Sequence, residues 1–186
     1  MERKVIDVLG SLDAVGFLPP SVQALAAACM LRRDHRTVLW IVDSPEAMEQ
    51  AEDDLLSFLT ADQVMLFPPF DVRPYQDDSP SREIMARRIA TLHALSSGAR
   101  AVIVAPVQAV LGYTIPRAEL AEGSITVKPG METDRDDLAG RLVRMGYTTE
   151  ALIDDVGQFS LRGSVVVIFS PRLEFPVRLD LFGAEA

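Results

Sequence analysis

The chain has one cysteine, two histidines and no long apolar run, and each shortage removes a class of chemistry. A lone Cys29 excludes an internal disulfide and any zinc site built from a cysteine cluster. It stands inside a helical apolar run, where a thiol reads as a small core hydrophobe rather than a reactive nucleophile. His35 and His93 leave little raw material for a metal cluster or a Ser/His/Asp constellation. No apolar stretch approaches the roughly 20 residues of a membrane-spanning helix. The opening MERKVIDVLGS is too acidic and too mixed for a signal peptide. These features point to the cytoplasm and away from a membrane.

Positive charge is also scarce. Lys plus Arg number 18 against 27 Asp plus Glu, for a net charge of −9. Residues 1–112 hold 10 basic and 15 acidic groups, and residues 113–186 hold 8 and 12, so both parts are acidic. Neither carries a basic stripe. Sequence-independent DNA binding depends on neutralising phosphates, which makes this chain on its own a poor DNA binder. What the chain does have is apolar material: 186 residues, 48% of them hydrophobic, suffice for one medium domain or two small ones.

The first part alternates helix and strand signals. Ser21 to Arg33 is alanine-rich with a basic end, as a helix C-terminus prefers. TVLWIV, Thr37 to Val42, is a short β-branched run that predicts a strand covered on both faces. Ser44-Pro45 supplies an N-cap and a first-turn proline for a helix running to about Leu59. Val64 to Phe67 predicts a second strand, Ser79-Pro80 repeats the cap signal for a helix to about Leu95, and Ala101 to Ala105 predicts a third, buried strand. Ser97-Gly98 ends the intervening helix. Strand, helix, strand, helix, strand argues for a parallel α/β sheet with right-handed crossovers.

Near residues 113–123 the pattern changes. Ile125 to Val127 predicts a short strand; Thr133 caps a helix, with Asp136 at the capping-box position, and Gly146 stops it. Two strands follow, Phe159 to Phe169 and Phe175 to Phe182, joined through Ser170 to Glu174. Such a module is α+β with an antiparallel hairpin. Alternate strand residues point to opposite faces. Odd positions (Leu161, Val165, Val167, Phe169, Phe175, Val177, Leu179, Leu181) are apolar and predict the core face. Even positions put Arg162, Ser164, Arg178, Asp180 and Phe182 on the other side, with position 162 opposite 182 if the turn centres on Arg172. Val166 and Ile168 share that outward side, so its turn end is expected to be covered. Arginines beside an aromatic on an outward face suit a protein interface.

One stretch tests a nucleotide-site reading. GFLPPSVQ, Gly16 to Gln23, has the opening glycine of a phosphate-binding loop ahead of a helix. Aligned on that glycine, Ser21, Val22 and Gln23 stand where the second glycine, the lysine and the hydroxyl should be. Pro19-Pro20 removes two backbone donors. Asp53-Asp54, Asp77-Asp78 and Asp154-Asp155 are adjacent carboxylates, but sequence neighbours do not face each other, and acidic surface explains them. No catalytic residue, cofactor site or metal ligand is assigned.

Several segments together resemble one family. LFPPFDVRPYQDDSPSREIMARRIATLHAL (66–95) looks like the segment after the second strand in the N-terminal region of the bacterial transcription-repair coupling factors, the Mfd family, with Pro74-Tyr75, Ser79-Pro80, Arg88-Ile89 and Thr91-Leu92 at its motif positions. AVIVAPVQAVL is similar to the family's next strand and turn. GQFSLRG (157–163) resembles its G-x-F-x-x-R-G strand, and PVRLDLF (176–182) its P-x-R-[LV]-[DE]-x-F strand. The motifs fall in the family's order and cover nearly the whole chain. UvrB shares the architecture but keeps a true P-loop where this chain has GFLPPSVQ.

The resemblance implies a helicase-like α/β domain without ATPase activity (1–115), followed by a small α+β domain that binds UvrA (116–186) and is cut short at its C-terminal side. Such proteins displace stalled RNA polymerase and recruit excision repair; polymerase and DNA contacts lie in C-terminal domains absent here. In the family a C-terminal domain can mask the UvrA-binding surface, an intramolecular contact. The family's UvrA-contacting residues map onto Arg162, Arg178 and Phe182. The alternative is an ATP-binding half of a UvrB-like or helicase-like nucleic-acid enzyme, with its nucleotide at Gly16–Gln23.

Overall fold

The computed structural model describes residues 18–72, 79–171, 173 and 175–181. They divide into two compact units, one drawn from residues up to Ser79 and from Thr91–Thr114, the other from Pro80–Ala90 and from Ile115 onward.

The first unit is α/β. Helix α1 (Pro20–Asp34) leads into β1 (Val38–Val42), then α2 (Pro45–Leu56), β2 (Val64–Leu66), the part of α3 (Arg82–Ser96) from Thr91 onward, β3 (Val102–Pro106) and the single turn α4 (Val107–Val110). The three strands are parallel in the order β1-β3-β2, as the alternating pattern predicted. Strand β3 is central and buried along its whole length. Val102 and Val104 meet α1 and α2, where Ala24, Ala27 and Ala28 let helix α1 approach the sheet closely. Ile103 and Ala105 pack on the opposite face with Phe67 and Ala109. Strand β1 corrects the expectation of two covered faces. Among the described residues it is an edge strand, and Leu39 and Ile41 are 54% and 50% exposed while Val38, Trp40 and Val42 pack inward.

Local signals set the helix ends. The Ser44 hydroxyl accepts the Ala47 N–H at 3.1 Å, the cap expected before Pro45. Helix α3 begins two residues later than expected: Ser81, not Ser79, accepts the Ile84 N–H, and the Ser81 carbonyl takes the Met85 N–H. Its end matches the Ser97-Gly98 signal, with Gly98 at φ +80° and the Ala99 N–H returning to Ala94. Inside α3, Arg88 and Thr91 are buried, and burial lowers the pKa of the Arg88 guanidinium. The Thr91 hydroxyl donates to the Leu66 carbonyl at 2.7 Å. These motif positions serve packing, not an exposed site. Pro74-Tyr75 lie outside the described residues, as do Asp77-Asp78.

The second unit holds α5 (Arg117–Glu122), α6 (Arg135–Arg144) and a four-stranded mixed sheet of β4 (Thr148–Thr149), β5 (Gln158–Arg162), β6 (Val165–Ile168) and β7 (Val177–Asp180), in that order. Its core joins Leu138 and Leu142 of α6 to Phe159 and Val166 of the sheet. No strand forms at 125–127; Ile125 packs on this core without entering a ladder. The cap of α6 is Asp134, one residue past the expected Thr133. Its carboxylate accepts the N–H groups of Asp136 and Asp137 at 3.0 and 2.8 Å, and a negative charge there suits the helix N-terminus. Gly146, at φ +89°, ends α6 as expected.

The hairpin is also corrected. The run from Phe159 to Phe169 is two strands, because Arg162 pairs with Val165 across a two-residue turn at Gly163-Ser164. Gly163 has φ +59° at the first turn position, the pattern of a type II′ hairpin. Such a turn exchanges the parity of the next strand. Val166 and Ile168 therefore face the core, and Val165 and Val167 face away, the reverse of the expectation. A second exchange occurs between Ile168 and Val177, which pair directly. Leu161, Leu179 and Leu181 keep the core side, whereas Phe175 lies 69% exposed before β7 begins.

Candidate protein-binding site

The motif GQFSLRG explains itself residue by residue. Gly157 takes φ +79°, Phe159 is a fully buried anchor, Arg162 stands on the outward face, and Gly163 turns the chain. The Arg135 guanidinium at the start of α6 donates to the Gly163 carbonyl at 3.1 Å and fixes the turn against the helix.

On the face opposite the core, two rows of residues cross β5, β6 and β7: Ser160–Val167–Arg178 and Arg162–Val165–Asp180. Arg162 and Arg178 therefore share a face, as expected from parity, but β6 lies between their strands. The expected pairing of 162 with 182 is replaced by Arg162 with Val165 and Arg178 with Val167. Two strand spacings separate the arginines by about 10 Å across the sheet. Phe182, the third expected residue, lies outside the described residues.

A cleft of about 420 Å³ opens on this face. Ser160, Val165 and Val167 form its floor, Ala151, Leu152 and Ile153 a wall, and the two arginines reach it from either side. The Arg162 Nη2 donates to the Ala151 carbonyl at 2.7 Å, tying strand to wall. Arg178 donates through Nε and Nη2 to one oxygen of Asp180, at 3.1 and 3.0 Å. That ion pair is solvent-exposed, 65% and 42% for the two side chains, and contributes at most about 1 kcal/mol to stability. Its role is to lay the guanidinium along the strand.

Sequence reasoning missed the floor and the wall. The floor was hidden by the unrecognised turn, although Gly-Ser between two apolar runs is a hairpin signal. The wall comes from a loop with no periodicity to read.

At the start of α1 the described residues leave few N–H groups free for a phosphate. Pro19 is the N-cap of α1 and Pro20 its first residue; neither has an N–H. The Val22 and Gln23 N–H groups both turn to the Pro19 carbonyl at 2.9 and 3.0 Å, and the Gln23 side chain donates to the Leu18 carbonyl at 2.7 Å. Gly16 and Phe17 lie outside the described residues. Among the described residues no group of three or more His, Cys, Asp or Glu could hold a metal ion, and no helix is long and apolar enough to cross a membrane.

In a family comparison residues 125–186 match the UvrB interaction domain, and both arginines and the cleft fall within that match. The whole chain is similar to transcription-repair-coupling factors. It is 29% identical over 168 residues to those of Staphylococcus epidermidis and Staphylococcus aureus, covering 90% of this chain and 14% of the relative. The Staphylococcus haemolyticus factor is 29% identical over 184 residues, covering 98% of this chain and 16% of the relative. The resemblance carried by the sequence motifs is therefore borne out, and the chain spans about one seventh of the length of these curated relatives.

Proposed function

We propose that this chain is a non-catalytic recruitment module of a transcription-repair coupling factor, and that it docks UvrA through the outward face of the second unit. The observation that carries the reading is the cleft with Arg162 and Arg178 on it, set within the residues that match the UvrB interaction domain. Two guanidinium forks over an apolar floor have the chemistry of binding hot spots. Phe182 is assigned to the same surface by its motif position. The first unit is read as a helicase-like half whose phosphate loop has degenerated, supported by two prolines and two occupied N–H groups at the start of α1. Contacts with RNA polymerase and DNA are assigned to parts of such proteins beyond this chain.

Calorimetric titration of the chain with purified UvrA tests the reading. Saturable binding is expected, weakened by roughly 1–3 kcal/mol in Arg162→Ala and in Arg178→Ala. Unchanged affinity in both folded variants removes the assigned site. Titration with ATP in place of UvrA is expected to give no saturable heat, and a stoichiometric site would turn the reading toward an ATP-binding enzyme half.

A further inference from the structure

We infer that the cleft takes a partner segment in which an apolar side chain sits beside a carboxylate: the apolar group enters between Leu152 and the Val165–Val167 floor, and the carboxylate pairs with Arg178. The inference rests on the docking role proposed above and adds the chemistry of the bound segment. It also divides the labour of the two arginines.

The lining explains the preference. It contains two guanidinium groups and the Ser160 hydroxyl; its other side chains are apolar, and none is acidic. In a chain of net charge −9 this is a local exception, complementary to a negative group on a partner. Asp180 occupies Nε and Nη2 of Arg178 through a single oxygen, which orients the fork and leaves it 65% exposed.

Arg162 is committed differently. Its Nη2 is bound to the Ala151 carbonyl, 11 residues back along the chain. The loop that it reaches is tied at several other points: the Glu150 N–H donates to the Phe159 carbonyl at 2.9 Å, and the Gln158 side-chain oxygen accepts the N–H groups of both Asp154 and Asp155 at 3.0 Å. Between these ties Leu152 is held 75% exposed. A leucine fixed in the open on a tethered loop contributes apolar contact with little ordering cost on binding. Arg162 is thus a positioning residue for the wall, and Leu152 a contact residue that the sequence pattern does not reveal.

The test measures UvrA binding to the chain at low and high salt, with amide hydrogen exchange across residues 150–155 in the free protein. Leu152→Ala, at an exposed position where the fold is retained, is expected to weaken binding about 10-fold without changing its salt dependence. Arg178→Gln is expected to weaken binding and flatten the salt dependence. Arg162→Ala is expected to weaken binding and speed exchange at 150–155, whereas Arg162→Lys, which keeps a donor for the Ala151 carbonyl, stays within about threefold of the wild-type affinity. Wild-type affinity in Leu152→Ala together with an unchanged salt slope in Arg178→Gln overturns the inference and leaves UvrA docking standing. Failure of the wild-type chain to bind UvrA overturns the docking reading and the inference together.

Discussion

The Thr91 hydroxyl and the Leu66 carbonyl share a 2.7 Å hydrogen bond in the interior of the first unit, joining α3 to the end of β2. Thr91 is 4% exposed, so water cannot replace its partner. Thr91→Val should lower unfolding free energy by about 1–3 kcal/mol, because the carbonyl is left buried without its donor. Thr91→Ser keeps the donor and should lose less. Urea unfolding of the three proteins checks the difference.

The α6 cap gives a paired prediction. Asp134→Ala should cost about 1 kcal/mol by removing the acceptor for two N–H groups. Thr133→Val should leave stability unchanged or raise it slightly, since the buried Thr133 hydroxyl has no hydrogen-bond partner among the described residues. Thermal unfolding of both variants separates the two positions; a larger loss at Thr133 than at Asp134 would restore the cap to the residue that sequence alone suggested.

His35 ends α1 in the left-handed region, at φ 52°. Histidine is among the side chains that enter that region more often, but still at a cost, whereas a glycine adopts it freely. His35→Gly should stabilise the chain by about 1 kcal/mol, read as a rise in the urea midpoint with the slope unchanged.

Gly163 sits at φ +59° with nothing within 4 Å of where a Cβ would lie. Any penalty for a side chain there is conformational rather than steric. Gly163→Ala should cost about 1–2 kcal/mol, and Gly163→Asn less, because asparagine visits the left-handed region more readily. Equal losses in the two variants would contradict a conformational origin.

The sheet of the first unit was legible because its strands are short β-branched runs separated by capped helices, a pattern that few arrangements satisfy. What the sequence did not convey was which face is covered: TVLWIV looks the same whether one face or both are packed, and among the described residues the face of Leu39 and Ile41 is the open one. In the second unit β4 was invisible at two residues, and an eleven-residue apolar stretch concealed a turn. The face shared by Arg162 and Arg178 was read correctly despite that error, since two missed exchanges of parity cancel. The wall of Ala151 to Ile153 could not be read at all, because its place depends on hydrogen bonds from Gln158 and Arg162 rather than on any repeat.

The Gly163-Ser164 turn makes pairing register the hidden determinant of the surface. A one-residue slip of β6 against β5 would send Val166 and Ile168 into solvent and Val165 and Val167 inward. A one-residue slip of β7 against β6 would leave β6 alone but drive Arg178 and Asp180 into the core in place of Leu179. Related chains that keep an arginine pair on this face should therefore keep both registers, whatever length the 169–176 connection takes.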